Sequence, residues 1–291
     1  SCYQSGINRH KILSILNSNA SDFVADEHFT DDAISLFPEF VAQMTGYVRS
    51  PSRQEDLHML IDIGAGTVDF TVFNVYTNED DDDIYPIFAK KVEKLGAAIL
   101  MKERLKSVPG ENTADNISFI NVLTSSEFKK KYKPDMAKLN KIEKQFQDKL
   151  YQQIQVGLTH TKKEKYPLSR KWDAGVPTFL CGGGSKAEFY NKTYSALEKW
   201  KPPLKASIEE LPLPDDLEAD GLEPHYYHRL SVAYGLSLEP FDIGEIIEAN
   251  SIAKNLSEDI SSGRLTTCNA CSGTGLNFNC TVCDGTGFFK S

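Results

Sequence analysis

Two carboxylates and a turn of small residues carry the first chemical signal. In "LIDIGAGTVDFTVFNV", residues 60–75, Asp62 and Asp69 flank Gly64, Ala65, Gly66 and Thr67 within an apolar, strand-like run. If the turn centres on Ala65 and Gly66, the two acids face each other across a hairpin, where like charges destabilise. A cation between them relieves that repulsion, and the hard, oxygen-ligated candidate that accompanies phosphate is Mg2+. Gly64 and Gly66 leave room for backbone N–H groups to approach phosphate oxygens as an anion nest, and Thr67 adds a hydroxyl donor. The alternative is a tight hairpin whose acids simply face water. A second glycine turn, "FLCGGGSKAEF", sets Gly182, Gly183 and Gly184 between a strand and a helix, with Ser185 expected as the N-cap. Such a turn at a helix N-terminus favours anionic or polar ligands.

The cysteines carry the other signal. Cys268, Cys271, Cys280 and Cys283 make two CxxC pairs, "CNACSGTG" and "CTVCDGTG", within sixteen residues, whereas Cys2 and Cys181 stand alone. Two thiolates three positions apart can turn onto one metal, and two such knuckles complete a closed tetrahedral S4 site, which is structural Zn2+. Redox chemistry needs only one pair. This metal-type spacing, with no apolar leader in the sequence, leads to the expectation of a cytoplasmic protein.

The elements that must position these residues follow from pattern. The 291 residues are 40% hydrophobic and 25% charged with net charge −9, an ordinary globular composition. The negative charge argues against nucleic acid and anionic membrane as partners, and no apolar run is long enough to span a membrane. A helix is expected in "DAISLFPEFVAQMTGYV" with Pro38 near its start, then a strand, the turn, a second strand and a third at "IYPIFAKKV". "TNEDDDDIYP" reads as a solvated acidic loop. "GAAILMKERL" reads as a helix, and "KKKYKPDMAKLNKIEKQFQDKLYQQIQVGL" as one long polar helical stretch with an apolar stripe at Met136, Leu139, Ile142, Phe146 and Leu150. "YHRLSVAYGLSL" reads as a buried small-residue helix, and residues 255–263 as a linker. His225 and His228, three apart, are not expected to bind metal.

Taken together the motifs resemble a known superfamily. "IDIGAGTVDFTVF" resembles the second phosphate hairpin of the actin, sugar-kinase and seventy-kilodalton heat-shock superfamily, and "FLCGGGSKAEF" resembles its adenosine motif. "FPEFVAQMTGYV" resembles the first connecting helix, where Glu39 and Ala42 match and Phe40 departs from a proline. "RLSVAYGLS" resembles the second connecting helix, with Ala233 and Gly235 at the crossing. The "CxxCxGTG" units resemble those of DnaJ-type co-chaperones, in half the usual number. The resemblance implies that Asp62 holds hydrated Mg2+ and polarises the attacking water. It also implies that Asp69 would be a more distant Mg2+ partner and that Glu39 would approach the metal from the other lobe. By the same resemblance Gly64, Ala65, Gly66 and Thr67 would surround the phosphates, and Gly183, Gly184 and Ser185 would lie by the adenosine.

The expected fold is therefore α/β: a ribonuclease-H-like, actin-like ATPase lobe with a small zinc-knuckle tail. Residues 1–56 would be a remnant of the first lobe with the connecting helix, and 57–254 the second lobe, with a helical insertion at about 105–170. Residues 255–263 would be the linker and 264–291 the zinc module. The superfamily's first phosphate hairpin and the heat-shock lysine have no match, so a missing first lobe is expected in cis or on another chain. The expected function is heat-shock-70-like: ATP and ADP binding, with ATP hydrolysis in the complete protein, serving protein clients or co-chaperones. This chain alone is expected to be inactive. The alternative is a non-catalytic actin-like scaffold or pseudo-ATPase whose zinc module docks proteins; a sugar kinase fits the zinc module poorly.

Overall fold

The computed structural model describes residues 38–77, 82–110, 122–167, 169–201, 204–218, 221, 223–239, 243–247, 265–267 and 288–290. The apolar, β-branched runs flanking the small-residue turn form the centre of a mixed sheet. Strands β1 (Asp56–Ile63), β2 (Val68–Thr77) and β3 (Asp83–Glu93) form an antiparallel meander. Strand β4 (Val176–Cys181) then runs parallel beside β1, β5 (Ala206–Glu209) runs parallel beside β4, and β6 (Glu245–Ile247) runs parallel beside β3. The order is β5-β4-β1-β2-β3-β6, and β2 is the one strand of these six that runs against the others.

Alternation along β1 and β2 gives the sheet two chemically different faces. Met59, Ile61, Ile63, Val68, Phe70 and Val72 point to one face and are sealed by helix α4 (Met136–His160) through Phe146, Leu150, Ile154 and Leu158. The long polar stretch is thus a sheet cover, as its stripe requires. It is two helices rather than one: α3 (Ser125–Tyr132) ends on Lys133 in the left-handed conformation, and Asp135 caps α4 after Pro134 breaks the chain. Only part of the stripe is core, for Met136 is 40% exposed.

The other face carries His58, Leu60, Asp62, Asp69, Thr71 and Phe73 and is covered by helix α1 (Glu39–Val48), buried from Phe40 onward. Helix α2 (Ala97–Leu105) follows β3; the short helix α5 (Lys171–Ala174) precedes β4 and α6 (Glu188–Ser195) follows it. The "YHRLSVAYGLSL" helix is a 3-10 turn, Pro224–Arg229, leading into a single α turn, α7 (Ser231–Gly235). Gly235 lies at the crossing with α1: a Cβ there would strike the backbone of Ala42. Ala233, expected at the same crossing, is exposed, because a helix this short offers one side only.

His58 ties α1 to β1. It is fully buried between the rings of Phe73 and Phe179, with Nε2 3.1 Å from Tyr47 Oη and Nδ1 2.8 Å from the Asp56 carbonyl. Burial pushes its pKa down to about 4, opposed by the Asp56 bond and assisted by Lys171 and Arg53. The unfolded chain therefore takes up a proton that the folded chain refuses between the ordinary histidine pKa and 4. Stability is full above that window and falls as pH drops through it, by about 3 kcal/mol at pH 4 from this residue alone. Urea unfolding across pH 4–7 should show this loss in the native chain and a flatter profile in His58→Phe.

Strands β7 (Leu265–Thr267) and β8 (Phe288–Lys290) form a separate antiparallel pair. Cys268, Cys271, Cys280 and Cys283, in the stretch between them, lie outside the described residues, as do the acidic run at 78–81 and the linker 255–263.

Candidate functional site

The small-residue turn is fixed by the helix beside it. Gly64 N donates to the Thr67 carbonyl at 3.0 Å and closes the hairpin. The carbonyls of Gly66, Gly64 and Ala65 then accept from Gly96, Ala97 and Ala98 at 3.2, 3.0 and 2.8 Å. The first amides of α2, which no helix can satisfy internally, thus anchor the oxygens of the turn. Among the described residues the amides of Ala65, Gly66 and Thr67 have no backbone acceptor, and Ala65 and Gly66 are exposed. These three can form an anion nest. Gly64 cannot contribute its amide, contrary to the sequence expectation, because the hairpin uses it.

Asp62 and Asp69 are opposite each other in the β1–β2 register, as a turn centred on Ala65 and Gly66 requires. Gln43 Nε2 on α1 donates to Asp62 Oδ2. Burial pushes the Asp62 carboxyl up; the Gln43 bond pulls it back, and the charges of Glu39 and Asp69 push it up again. Asp69 Oδ1 is buried with no hydrogen-bond partner. Both acids, with Glu39, Gln43, Thr71 and Lys90, line a pocket of about 160 Å³ on the α1 face. A cation would satisfy the orphaned oxygen and offset the repulsion. Among the described residues no three His, Cys, Asp or Glu side chains form a ready cage. Mg2+ fits that limit, since it is held by one or two carboxylates with water and phosphate completing its shell.

The second glycine turn packs directly on Asp62. Asp62 pairs with Cys181 across β1 and β4, so Gly182 passes over the acid. Gly182 has φ +79°, and a Cβ on it would strike Asp62 Oδ1 and lie 2.6 Å from the Ile63 carbonyl oxygen. Gly184 N donates to that same carbonyl at 2.8 Å. Ser185 is not the helix cap: α6 begins at Glu188 with Ala187 as N-cap. Its hydroxyl turns back onto the Gly182 carbonyl at 2.9 Å, closing the glycine turn, and lies 3.3 Å from His228 Nδ1. Cys181 is fully buried; burial, then the Asp62 charge, raises its thiol well above the ordinary range. It is packing, not a nucleophile.

The two turns face one cleft of about 590 Å³. Gly64 and Ala65 line it on one side and Gly183, Gly184, Lys186 and His228 on the other. That size falls in the ordinary range for small-molecule sites. Its third wall, Val122 to Glu127, is held by the N-terminus of α3. Thr124 and Glu127 form a reciprocal capping box, with Thr124 N donating to Glu127 Oε2 at 2.8 Å. The buried Arg104 pins this wall: it donates to the Leu123 carbonyl at 2.7 Å and to Ser125 Oγ at 3.2 Å, and pairs with Glu143 at 2.9 Å.

The structure thus brings Glu39, Asp62 and Asp69 to one pocket, and Gly64, Ala65, Gly183 and Gly184 to the adjoining cleft. Gly66 and Thr67 complete the hairpin, and Ser185 supports the glycine turn from behind. Sequence reasoning missed Gln43, Lys90 and Arg104; it placed Gly182 in the glycine turn without a role and considered His228 only as a residue not expected to bind metal. The signal for Gln43 was an amide side chain one helical turn from Glu39 on a mostly apolar helix. Lys90 shows no local signal, because only strand register brings it opposite Thr71.

Among the described residues no helix is long and apolar enough to cross a membrane. No family model matches the chain, and no curated protein does. Solved structures similar to it include the PilM–PilN type IV pilus biogenesis complex, 18% identical at TM-score 0.41, over 71% of this chain and 54% of that one. A non-polymerisable quadruple mutant of pCBH ParM is 15% identical at TM-score 0.41, over 72% and 56%. MreB5 of Spiroplasma citri bound to ADP is 14% identical at TM-score 0.41, over 87% and 69%. The chain spans about half the length of the first two structures, and at such scores these likenesses carry no weight in the functional reading.

Proposed function

We propose that this chain is a nucleotide-binding lobe of the actin and heat-shock type, holding a Mg2+–ATP or Mg2+–ADP complex. The observation that carries the reading is the meeting of two glycine turns, distant in sequence, on one cleft beside a pocket with two opposed carboxylates. The nucleoside would lie by Gly183 and Gly184, the phosphates on the amides of Ala65, Gly66 and Thr67, and the cation by Asp62 and Asp69. Asp62 and Asp69 would hold the Mg2+, whose charge would offset that of the phosphates. Asp62, held by Gln43, would orient the water nearest the terminal phosphate. A meander of three strands followed by two parallel crossovers agrees with a ribonuclease-H-like lobe.

The finer reading couples nucleotide to protein handling in the cytoplasm. It rests on the resemblance and on the two CxxC units, which would hold one Zn2+ through Cys268, Cys271, Cys280 and Cys283 and offer a docking module for clients or co-chaperones. Phosphoryl transfer needs charge from several sides of the phosphate. The chain alone is therefore expected to bind nucleotide weakly and not to turn it over; a first lobe, in cis or in trans, would close the site.

Calorimetric titration with a non-hydrolysable Mg2+–ATP analogue tests the reading. Binding should depend on Mg2+ and fall at least about tenfold in Asp62→Asn, the equivalent of 1.4 kcal/mol, with the lobe still folded. Equal, metal-independent affinity in the native chain and in both Asp62→Asn and Asp69→Asn would overturn it.

A further inference from the structure

We infer that Lys90 is a terminal-phosphate contact supplied by this lobe itself, making the site selective for a nucleoside triphosphate over a diphosphate. The inference rests on the nucleotide reading above and adds a residue and a specificity to it. Lys90 stands opposite Thr71 in the β2–β3 register, on the same sheet face as Asp62 and Asp69, and lines their pocket. It is exposed, yet among the described residues it forms no ion pair within 4.0 Å, whereas its neighbour Lys91 pairs with Glu93 at 2.9 Å. Nor does it satisfy Asp69 Oδ1, which stays without a partner. A lysine beside three carboxylates that bonds none of them is placed for a ligand rather than as their counter-ion.

Its position along the strands sets which phosphate it meets. The turn at 64–67 borders the cleft with Gly183 and Gly184, and Lys90 does not line that cleft. It lies beyond Asp69, further from the turn. With the nucleoside at the glycine turn and the inner phosphates on the hairpin amides, the end of the polyphosphate reaches the Asp62–Asp69 pocket. Charge agrees: Glu39, Asp62 and Asp69 against one Mg2+ and Lys90 leave the pocket neutral before the terminal phosphate enters. A lysine ammonium, a compact charge with three donors on a flexible stem, suits that contact.

The test compares Mg2+ complexes of ADP and of a non-hydrolysable ATP analogue on the 291-residue chain. Lys90→Met should weaken the triphosphate at least tenfold and change the diphosphate less than twofold. Lys90→Arg should recover most of the loss, and thermal unfolding should be unchanged because the side chain is exposed. Equal losses for both nucleotides, or no loss for either, would overturn the inference while leaving the nucleotide reading intact. Failure of the native chain to bind either nucleotide would overturn both.

Discussion

Gly182→Ala is expected to cost about 3–5 kcal/mol of stability and to abolish nucleotide binding. Two independent penalties meet at this residue. Its φ of +79° is unfavourable for any residue with a Cβ, and that Cβ would strike Asp62 Oδ1 and the Ile63 carbonyl. Relief requires β4 to move from β1, which breaks the Gly184–Ile63 bond and displaces the Asp62 carboxylate from Gln43. Gly183→Ala is the control, because a Cβ there meets nothing within 4 Å. It should cost no more than about 0.5 kcal/mol, as surface substitutions do, while weakening nucleotide by intruding on the cleft. Denaturant titrations of the two variants check the contrast, and equal stabilities would refute this account of the glycine turn.

Removal of the Zn2+ proposed for the tail should unfold the tail and spare the lobe. Strands β7 and β8 pair over three residues each, with residues 268–287 between them. A hairpin that short is marginal in water, and closing so long a loop adds an entropic cost. In the proposed zinc module, four thiolates on Zn2+ would hold the ends together, with an apparent binding free energy of about 10–16 kcal/mol. One zinc per chain is expected by elemental analysis. Chelation should release the amides of Leu265–Thr267 and Phe288–Lys290 to hydrogen exchange while β1 and β2 stay protected. No zinc, or a disulfide between Cys268 and Cys271, would contradict the assignment.

What was legible in the sequence was local. The turn residues set the hairpin centre, the centre set the register, and the register put Asp62 against Asp69. The apolar runs gave the two strands, and the stripe at Leu139, Phe146 and Leu150 gave the buried side of the long helix, because each depends on residues near in sequence. What was not legible depended on distant parts. Ser185 precedes a helix and follows glycines, so it reads as a cap; its hydroxyl instead closes the turn against Gly182, near His228, 43 residues on. The turn oxygens at 64–66 are used by α2, so only the fold shows which amides remain for an anion. Gln43 and Arg104 act through contacts that no spacing rule connects.

In the proposed complex, nucleotide phosphate sits on the hairpin amides with the nucleoside at the glycine turn. Amide NMR of the isotope-labelled chain, with and without a non-hydrolysable Mg2+–ATP analogue, reads that placement residue by residue. The largest shift changes are expected at Ala65, Gly66, Thr67, Gly183 and Gly184, and should be absent in Asp62→Asn at the same ligand concentration. Saturable binding that leaves these five amides unmoved, or no binding at millimolar ligand, would contradict it.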